Sequence, residues 1–372
     1  MHCHSRRSSI EKGKHFLKHI TKKDFLAVVA ALAVSNVMLP CTNVSAATIE
    51  QKAQYAWRYY NTFNLNYDYH DQMEYTEEEK NLYRYLAVRF NNIAAGTAKQ
   101  YADGIMPYIS TTVRVPASYL QGISMQFLSE WDITKQLTRD FPYASYWVDG
   151  YSADYSEDSL TVHFEVLPEF SIYNKKGTTK LSPARVEAVK VALNNAKVIA
   201  KRHEYEEDIQ KLESLRKEVI NLTEYDHAAA DSIGTGTITS LLPWSWVSVF
   251  DCNPETGSVC EGYAQAFNML VDISDFDDPT IKARLVTGTI TLDGETGNHE
   301  WNIVTVGGKN YLTDITNSDT LFVRGVVGNP EEGYSVPVIS TDTYAPETKY
   351  VTYKYDEDTK KRYGTKESAL SK

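Results

Sequence analysis

The sequence of 372 residues predicts an α+β protein. A capping box, Thr76 with Glu79 three residues later, marks the start of a helical run. Residues 144–151 and 160–167 alternate apolar and polar side chains, which is typical of half-buried strands. The glycine pair at 307–308 lies between two further strand-like runs and indicates a tight hairpin. Helices and antiparallel strands in separate stretches of one chain are the pattern of an α+β fold.

Two longer helical segments are predicted, over residues 48–102 and 183–222. In the first, apolar side chains recur at helical spacing. In the second, Ser182 is a suitable N-cap because Pro183 then takes the first helical position. A break in the second segment is expected near His203. Its Lys and Glu content predicts either a solvent-facing helix between two parts of the protein or a surface helix of one domain.

The N-terminal residues follow the order of a secretory signal peptide. Residues 1–24 are basic, an apolar run extends from Phe25 to Leu39, and small residues near Ala46 offer a cleavage point. The apolar run is too short to span a membrane comfortably. We therefore predict a signal peptide over residues 1–46 and a secreted protein, free or associated with the cell surface, that is not inserted in a membrane after cleavage. An uncleaved anchor is the alternative.

Composition and charge exclude several classes of protein. A content of 42% hydrophobic and 23% charged residues is ordinary for a folded chain and argues against disorder, a collagen-like repeat or a multi-span membrane protein. The net charge is −11, and it becomes −16 when the signal peptide leaves with seven of the 38 basic and two of the 49 acidic residues. Nucleic-acid binding is not expected, because phosphate binding needs clustered Lys and Arg.

Cleavage of the signal peptide leaves two cysteines, Cys252 and Cys260, which either form one disulfide or include a working thiol. Cys260 follows a Gly-Ser turn and begins a predicted helix. The first turn of a helix stabilises a thiolate through its partial positive charge, and its N–H groups can bind an oxyanion. Cys260 is therefore a candidate nucleophile, with a buried structural cysteine as the alternative. Tyr225, Trp244 and Trp246 precede it and are candidates for a further oxyanion donor.

His299 and Asp314 are predicted to meet across the hairpin. A two-residue turn at 307–308 places Asp314 opposite Trp301, so that His299 is a diagonal neighbour of Asp314 on the same face of the sheet. Diagonal positions lie about 7–8 Å apart at the backbone, within reach of a hydrogen bond between side chains. An imidazole oriented by a carboxylate, beside a thiol, fits the chemistry of acyl transfer. A surface histidine on a strand is the alternative.

Three segments then resemble a known family. Gly257–Ala264 reads GSVCEGYA, residues 299–302 read HEWN, and residues 311–316 read YLTDIT. In this order and spacing they resemble the core of bacterial transglutaminase-like proteins with a papain-like fold, which typically read VC-x-GYA, HAWN and W-Y-x-x-D-x-T. Glu300 and Asn317 depart from that pattern, because they stand where Ala and Trp are common.

The resemblance covers about residues 221–320 and implies a Cys–His–Asp triad on a helix and two adjacent strands. It assigns Cys260 as the nucleophile, His299 as the base and Asp314 as the orienting carboxylate. This agrees with what the helix start and the hairpin predict independently.

The domain organisation follows from the same resemblance. A transglutaminase-like domain with the helix-start cysteine and an antiparallel sheet is predicted over residues 221–345. A mixed helical and β region precedes it over 48–220, and a polar tail follows over 346–372. In the tail, alternate apolar residues at 351–355 predict one strand, and the final ten residues are expected to be disordered.

Two functions from different classes fit the sequence. The first is a secreted cysteine enzyme, a protease, amidase or transglutaminase-like acyltransferase, that acts on a cell-wall or host protein or peptide through a thioester. Water then gives hydrolysis, and a lysine amine gives a cross-link. The second is a catalytically inactive protein of the same fold that binds a partner outside the cell, for which the 26 tyrosines offer contact surface. No cofactor and no metal is expected, because the sequence lacks the ligand spacing of such sites.

Overall fold

The computed structural model describes residues 75–104, 106–232, 240, 242–253, 255–317, 321–339 and 348–372. The predicted signal peptide over 1–46 and the helical pattern at 48–74 lie outside the described residues. In the part of the chain that the structure describes, no helix combines the length and apolar character needed to cross a membrane.

The described chain begins with a capped helix, α1 (Glu77–Ala94). The predicted capping box is confirmed: Glu79 N–H donates to Thr76 Oγ1 at 3.2 Å, and Thr76 N–H donates to Glu79 Oε2 at 2.8 Å. The predicted helix over 48–102 is wrong at its C-terminal end, where the chain turns after Ala94 and enters strand β1 (Gln100–Asp103).

Two small antiparallel sheets follow, β1-β2-β6 and β3-β5-β4. Their strands and the adjoining helices are β2 (Met106–Ser110), β3 (Thr112–Val115), α2 (Met125–Glu130), α3 (Ile133–Asp140), β4 (Val148–Ser156), β5 (Ser159–Val166) and β6 (Lys180–Leu181). The strand predicted at 160–167 is confirmed within one residue. The strand predicted at 144–151 begins only at Val148, because the preceding residues form a turn that buries Trp147 completely.

The second predicted helical segment is two helices, α4 (Pro183–Arg202) and α5 (Asp208–Leu222). The break at His203 is confirmed, since this residue is the C-cap of α4. Helix α4 faces solvent along one side only, because it buries an apolar stripe that includes Val189, Leu193 and Ile199. Charged residues lie on the opposite face of α4, so the composition of the segment alone did not reveal the apolar stripe. The same hydrophobic core contains residues on both sides of position 220.

The C-terminal half holds a six-stranded antiparallel sheet in the order β10-β11-β12-β7-β8-β9. Its strands are β7 (Lys282–Leu292), β8 (Glu295–Val306), β9 (Lys309–Thr313), β10 (Val327–Asn329), β11 (Gly333–Ile339) and β12 (Thr348–Tyr355). Helices α6 (His227–Ser232), α7 (Val247–Phe250) and α8 (Cys260–Asp272) precede the sheet. Asn302 Nδ2 on β8 donates to the carbonyl oxygen of Ala264 on α8 at 3.2 Å and ties the helix to the sheet.

The C-terminal segment is part of this sheet. The predicted strand is confirmed as β12, which lies between β11 and β7 and buries Val351, Tyr353 and Tyr355. The expected disorder of the final ten residues is wrong, because helix α9 (Glu357–Ser368) follows the strand. The hydroxyl of Tyr355 donates to the Ser368 carbonyl at 3.1 Å and holds this helix end against the sheet. The polar composition predicts a tail because it does not show that polar residues of this helix, such as Thr359 and Ser368, are buried against the sheet.

Together these elements form a mixed α+β structure with antiparallel sheets, as the sequence predicted.

Candidate active site

Cys260 is the first residue of α8, and the turn before it is anchored on both sides. Ser258 N–H donates to the Glu224 carbonyl at 3.0 Å, and Val259 N–H donates to the Pro243 carbonyl at 2.9 Å. The Cys260 side chain is half-buried and carries a free thiol. The turn before α8 is thus bonded to a strand-like segment at Glu224 and to a helical turn at Pro243. These two bonds fix where the helix begins.

The alternative disulfide with Cys252 is not formed, since Cys260 is a free thiol. The Cys252 sulfur lies 3.1 Å from Asn195 Nδ2, which donates to it. The cysteine at the start of α8 therefore keeps a free thiol.

Gly262 permits this close packing at the helix start. A Cβ atom at this position would collide with Ser258 Oγ and lie 2.8 Å from the Pro243 carbonyl oxygen. We expect Gly262→Ala to lower the free energy of unfolding by about 1–3 kcal/mol, because the added methyl overpacks a site bounded by backbone. Gly297→Ala is the matched control, since nothing lies within 4 Å of its added Cβ.

Chemical denaturation of the two variants beside the wild type measures this difference. Equal unfolding midpoints for Gly262→Ala and the wild type would contradict the packing explanation.

The hairpin that carries the predicted base and carboxylate is confirmed. Val306 pairs with Lys309, and Asn302 pairs with Thr313, which is the predicted register. The ladder ends at Thr313, so Asp314 lies one residue beyond the last pair.

Across the hairpin, His299 Nε2 lies 2.8 Å from Asp314 Oδ2. His299 is 8% exposed and Asp314 is fully buried, so water does not compete for this bond. Trp301 stacks on the imidazole with ring centroids 5.8 Å apart and an angle of 14° between the ring planes. The imidazole is thus held by a carboxylate at its Nε2 atom and by an indole on its face.

The structure brings Cys260 to the same imidazole. The Cys260 side chain lies close enough to this imidazole to raise its pKa. Because Nε2 is directed at Asp314, Nδ1 is the ring nitrogen left for the thiol. Burial lowers the pKa of His299, but the charge and hydrogen bond of Asp314, with a smaller contribution from Cys260, outweigh it and raise the pKa to about 10. Burial raises the pKa of Asp314, yet His299 and the other donors reverse this and hold it well below its ordinary value.

Asp314 accepts more hydrogen bonds than the sequence predicted. Tyr353 Oη donates to Asp314 Oδ2 at 2.6 Å, Asn317 Nδ2 donates to the same oxygen at 2.7 Å, and Thr316 N–H donates to Oδ1 at 3.0 Å. Asn317 was visible in the sequence only as a departure from the motif. Tyr353 was assigned to the tail, and the alternation at 351–355 that turns it inward was its only signal.

Removal of the Tyr353 hydroxyl tests how much its hydrogen bond to Asp314 contributes to the reactivity of the site. We expect Tyr353→Phe to slow any acyl transfer at Cys260 about ten-fold, because a charged hydrogen bond of this kind is worth about 1.5–3 kcal/mol and its loss leaves Asp314 less firmly oriented toward His299. Tyr355→Phe is the control: this tyrosine is also buried on β12, but its hydroxyl donates to Ser368.

The acylation rates of the two variants are measured at one pH, and their melting temperatures are measured beside them. When the melting temperatures agree, a difference in rate reports the contribution of the Tyr353 hydroxyl to the site. A Tyr353→Phe rate equal to that of Tyr355→Phe would remove Tyr353 from the site.

Two carboxylates flank the thiol. Glu261 follows Cys260 on α8, and Glu300 follows His299 on β8; both are half-buried. Burial raises the pKa of Glu300 well above its ordinary value, and the charges of Glu261 and Cys260 raise it further. Burial likewise raises the pKa of Glu261, which accepts a hydrogen bond from Gln265 Nε2 at 3.0 Å. Both carboxyl groups therefore keep their protons to a higher pH than an exposed glutamate does.

Two of the candidate oxyanion donors differ in what they contact. Trp246 is fully buried, and its indole N–H donates to the Tyr143 carbonyl at 3.2 Å, away from Cys260. Tyr225 lies near the start of α8, because its backbone pairs with Ser258 in a parallel bridge, and its side chain is half-buried. Among the described residues, no group of three or more His, Cys, Asp or Glu side chains is arranged to hold a metal ion.

Comparison with known proteins adds little to this geometry. No family model matches the sequence, and no curated protein matches it. A solved structure described as "Crystal structure of a TGase" is similar to the chain with a TM-score of 0.28 and 13% sequence identity, covering 56% of this chain and 51% of that chain. The chain thus spans about half the length of that structure.

Proposed function

We propose that this chain is a secreted cysteine enzyme of the transglutaminase-like class, with a papain-like arrangement of helix and sheet, that transfers the acyl group of a protein or peptide amide to Cys260. The observation that carries the proposal is the contact between a helix-start thiol and an imidazole whose other nitrogen lies 2.8 Å from a buried carboxylate. These are the nucleophile, the base and the orienting group that acyl transfer needs.

The high pKa of His299 determines the charge of the imidazole that lies beside the Cys260 thiol. An imidazole with a pKa of about 10 is protonated at neutral pH, and an imidazolium beside a thiol favours the thiolate form that acts as the nucleophile. The thiolate sulfur attacks the amide carbonyl carbon, and the C=O π electrons move to the oxygen. When the tetrahedral intermediate collapses, the C–N bond breaks and His299 gives its proton to the leaving amine. The acyl group stays on Cys260 as a thioester.

The thioester then reacts with a second nucleophile. Water attacks it with His299 as the base, which releases a carboxylate and restores the thiol; a lysine amine in place of water yields an isopeptide bond. Hydrolysis is the favoured outcome, because outside the cell an amine has to compete with water at far higher concentration. The proposed substrates are cell-wall peptides or host proteins.

Alkylation with iodoacetamide tests the proposal without knowledge of the substrate. Cys260 is expected to react well below pH 8, whereas Cys252, hydrogen-bonded to Asn195, serves as the control thiol in the same molecule. Peptide mapping by mass spectrometry assigns the label to each cysteine. Preferential labelling of Cys260 at pH 6, lost in His299→Ala, supports an activated thiol. Equal and slow labelling of both cysteines at pH 6 would favour the second function.

That second function is a binding protein of the same class without catalysis. Its support is an aromatic surface: Tyr101 and Tyr108 stack with ring centroids 5.6 Å apart, and Lys180 lies over the rings of Tyr108 and Tyr173. Tyr101 and Tyr173 are 44% and 56% exposed, so both offer contact area to a partner.

A further inference from the structure

We infer that Glu261 and Glu300 determine the substrate specificity of the proposed acyl transfer, by binding an amino-bearing side chain, such as that of lysine, next to the amide that Cys260 attacks. The inference rests on the proposed function and names the chemical class of its substrate. Glu300 stands where the motif that the sequence resembles commonly has Ala, so the specificity would belong to this chain.

The side chain of Glu300 is directed toward α8 by the alternation of β8. Asn302, two residues later on the same face of the strand, donates from Nδ2 to the Ala264 carbonyl on α8 at 3.2 Å. The strand and the helix run in the same direction, because Gly307, just after β8, donates its N–H to Asp278, shortly after α8, at 2.7 Å. Glu300 therefore lies about 7 Å nearer the start of α8 than Asn302 does.

Glu261 occupies the matching face of the helix. It precedes Asn268 by two turns, and Asn268 Oδ1 lies 3.5 Å from Asn302 Nδ2 on β8. The carboxylate of Glu261 is held in place, since Gln265 Nε2 donates to it at 3.0 Å while Gln265 Oε1 accepts from the Trp246 N–H at 3.3 Å. The two glutamates thus face the same space between α8 and β8, one directly after the nucleophile and one directly after the base.

The charges around this pair leave it short of a cation. The charge of Arg139 lowers the pKa of both glutamates, but its Nη2 atom is already paired with Asp358 Oδ2 at 2.8 Å. Asp356 adds a further negative charge, because Thr287, the residue paired with Glu300 in the sheet, donates to Asp356 Oδ2 at 2.6 Å. The space between α8 and β8 is therefore suited to a positively charged group.

A bound ammonium group would relieve the strain on both carboxyl groups. Burial raises the pKa of both, and the charges of Glu261 and Cys260 raise that of Glu300 further. An ammonium group between them lets both ionise, releases the proton that the pair holds, and replaces repulsion by charge-assisted hydrogen bonds. Both glutamates are half-buried, so a side chain can reach them from solvent. A peptide anchored there has its backbone beside Cys260 and His299.

Charged thiol reagents measure the electrostatic preference at Cys260 without a substrate. A methanethiosulfonate transfers its alkylthio group to a thiolate: the new disulfide forms as methanesulfinate leaves, whatever charge the reagent carries. Reagents with a trimethylammonium-ethyl, a methyl and a sulfonatoethyl group are compared at neutral pH, and peptide mapping assigns the label. In the double variant Glu261→Gln, Glu300→Gln, we expect the preference of Cys260 for the cationic over the anionic reagent to fall about ten-fold.

The double variant is needed because the pair holds a proton. After a single substitution the remaining glutamate ionises more readily, so the local charge changes little. Glu295→Gln is the matched control, since it removes an exposed carboxylate from the same strand. Cys252 is the reference thiol within each molecule.

A lysine derivative tests the ligand itself. Nα-acetyl-lysine methylamide and its norleucine analogue, which has the same carbon chain without the amine, are compared as protectors of Cys260 against the neutral reagent. We expect the lysine derivative to slow labelling about five-fold in the millimolar range, the norleucine analogue to have no effect, and the double variant to lose the protection.

The inference is overturned if the double variant keeps the wild-type charge preference within about two-fold, or if the lysine and norleucine derivatives protect Cys260 equally. Failure of the proposed function looks different: Cys260 of the wild type would then react with the neutral reagent no faster than Cys252. A fast Cys260 that is indifferent to charge would leave the proposed function in place and remove only the specificity.

Discussion

Cys260→Ala is expected to abolish acyl transfer, with a loss on the order of 10⁴ or more in the rate constant of acylation. The reason is that in the proposed function the thioester forms on the Cys260 sulfur, which is the thiol that lies beside His299. The fold should remain intact, because the side chain is half-buried and its replacement removes a single sulfur atom. Release of nitrophenolate from p-nitrophenyl acetate measures the effect.

Cys252→Ser is the control for this variant. It keeps a hydrogen-bonding atom for Asn195 while removing the second thiol. The wild-type rate is expected for Cys252→Ser. If Cys260→Ala retained the wild-type rate and Cys252→Ser did not, the nucleophile would have been assigned to the wrong cysteine.

His299→Ala and Asp314→Asn are expected to differ in size and in pH dependence. His299→Ala removes the group that is proposed to take and give the proton, so the loss of rate in this variant should match that of Cys260→Ala. Asp314→Asn leaves the imidazole in place and removes only its charged partner, so its loss should be smaller by about two orders of magnitude. The pH profile separates the two variants further.

The sign of the pH effect follows from the causes of the His299 pKa. In the wild type, Asp314 overcomes the effect of burial and raises this pKa to about 10, so His299 stays protonated as pH rises toward that value. Without the carboxylate charge, burial is opposed mainly by the smaller contribution of Cys260, and the pKa of His299 falls. A neutral imidazole no longer favours the thiolate, so the alkylation profile of Cys260 should move to higher pH in Asp314→Asn.

Asp272→Asn is the control for a buried carboxylate. It lies at the other end of α8, where burial raises its pKa to about 7 and where it accepts hydrogen bonds from Tyr143 and Asn268. Its replacement should leave the profile of Cys260 unchanged. Coincident profiles for Asp314→Asn and the wild type would show that Asp314 does not set the charge state of His299.

Local features of the fold were predictable from the sequence because local chemistry determines them. The capping box at Thr76 involves atoms three residues apart, and the two-residue turn at 307–308 fixes the register of β8 on β9. That register is why the proximity of His299 and Asp314 could be predicted from numbering alone. The helix start at Cys260 was likewise visible in its turn and its apolar spacing.

Features that depend on distant pairing were not predictable. The alternation at 351–355 indicated a strand, yet nothing in it specified β7 and β11 as its neighbours. The role of Tyr353 toward Asp314 was missed for that reason. The alternation of apolar and polar neighbours predicted a strand at Trp147. In the structure the chain turns there, and the indole ring is completely buried in the core.

The position of β12 has a consequence for how the molecule acquires its reactivity during folding. Leu292 pairs with Val351, so docking of β12 on β7 closes a loop of about 60 residues. Closing such a loop costs entropy before any contact is gained, which makes pairings of this kind slow. Until that pairing is made, the chain has its thiol and its hairpin but lacks the tyrosine that anchors Asp314. If the proposed function holds, full nucleophilicity of Cys260 coincides with completion of the sheet, and a partly folded chain is a poor catalyst toward its own exposed peptide bonds.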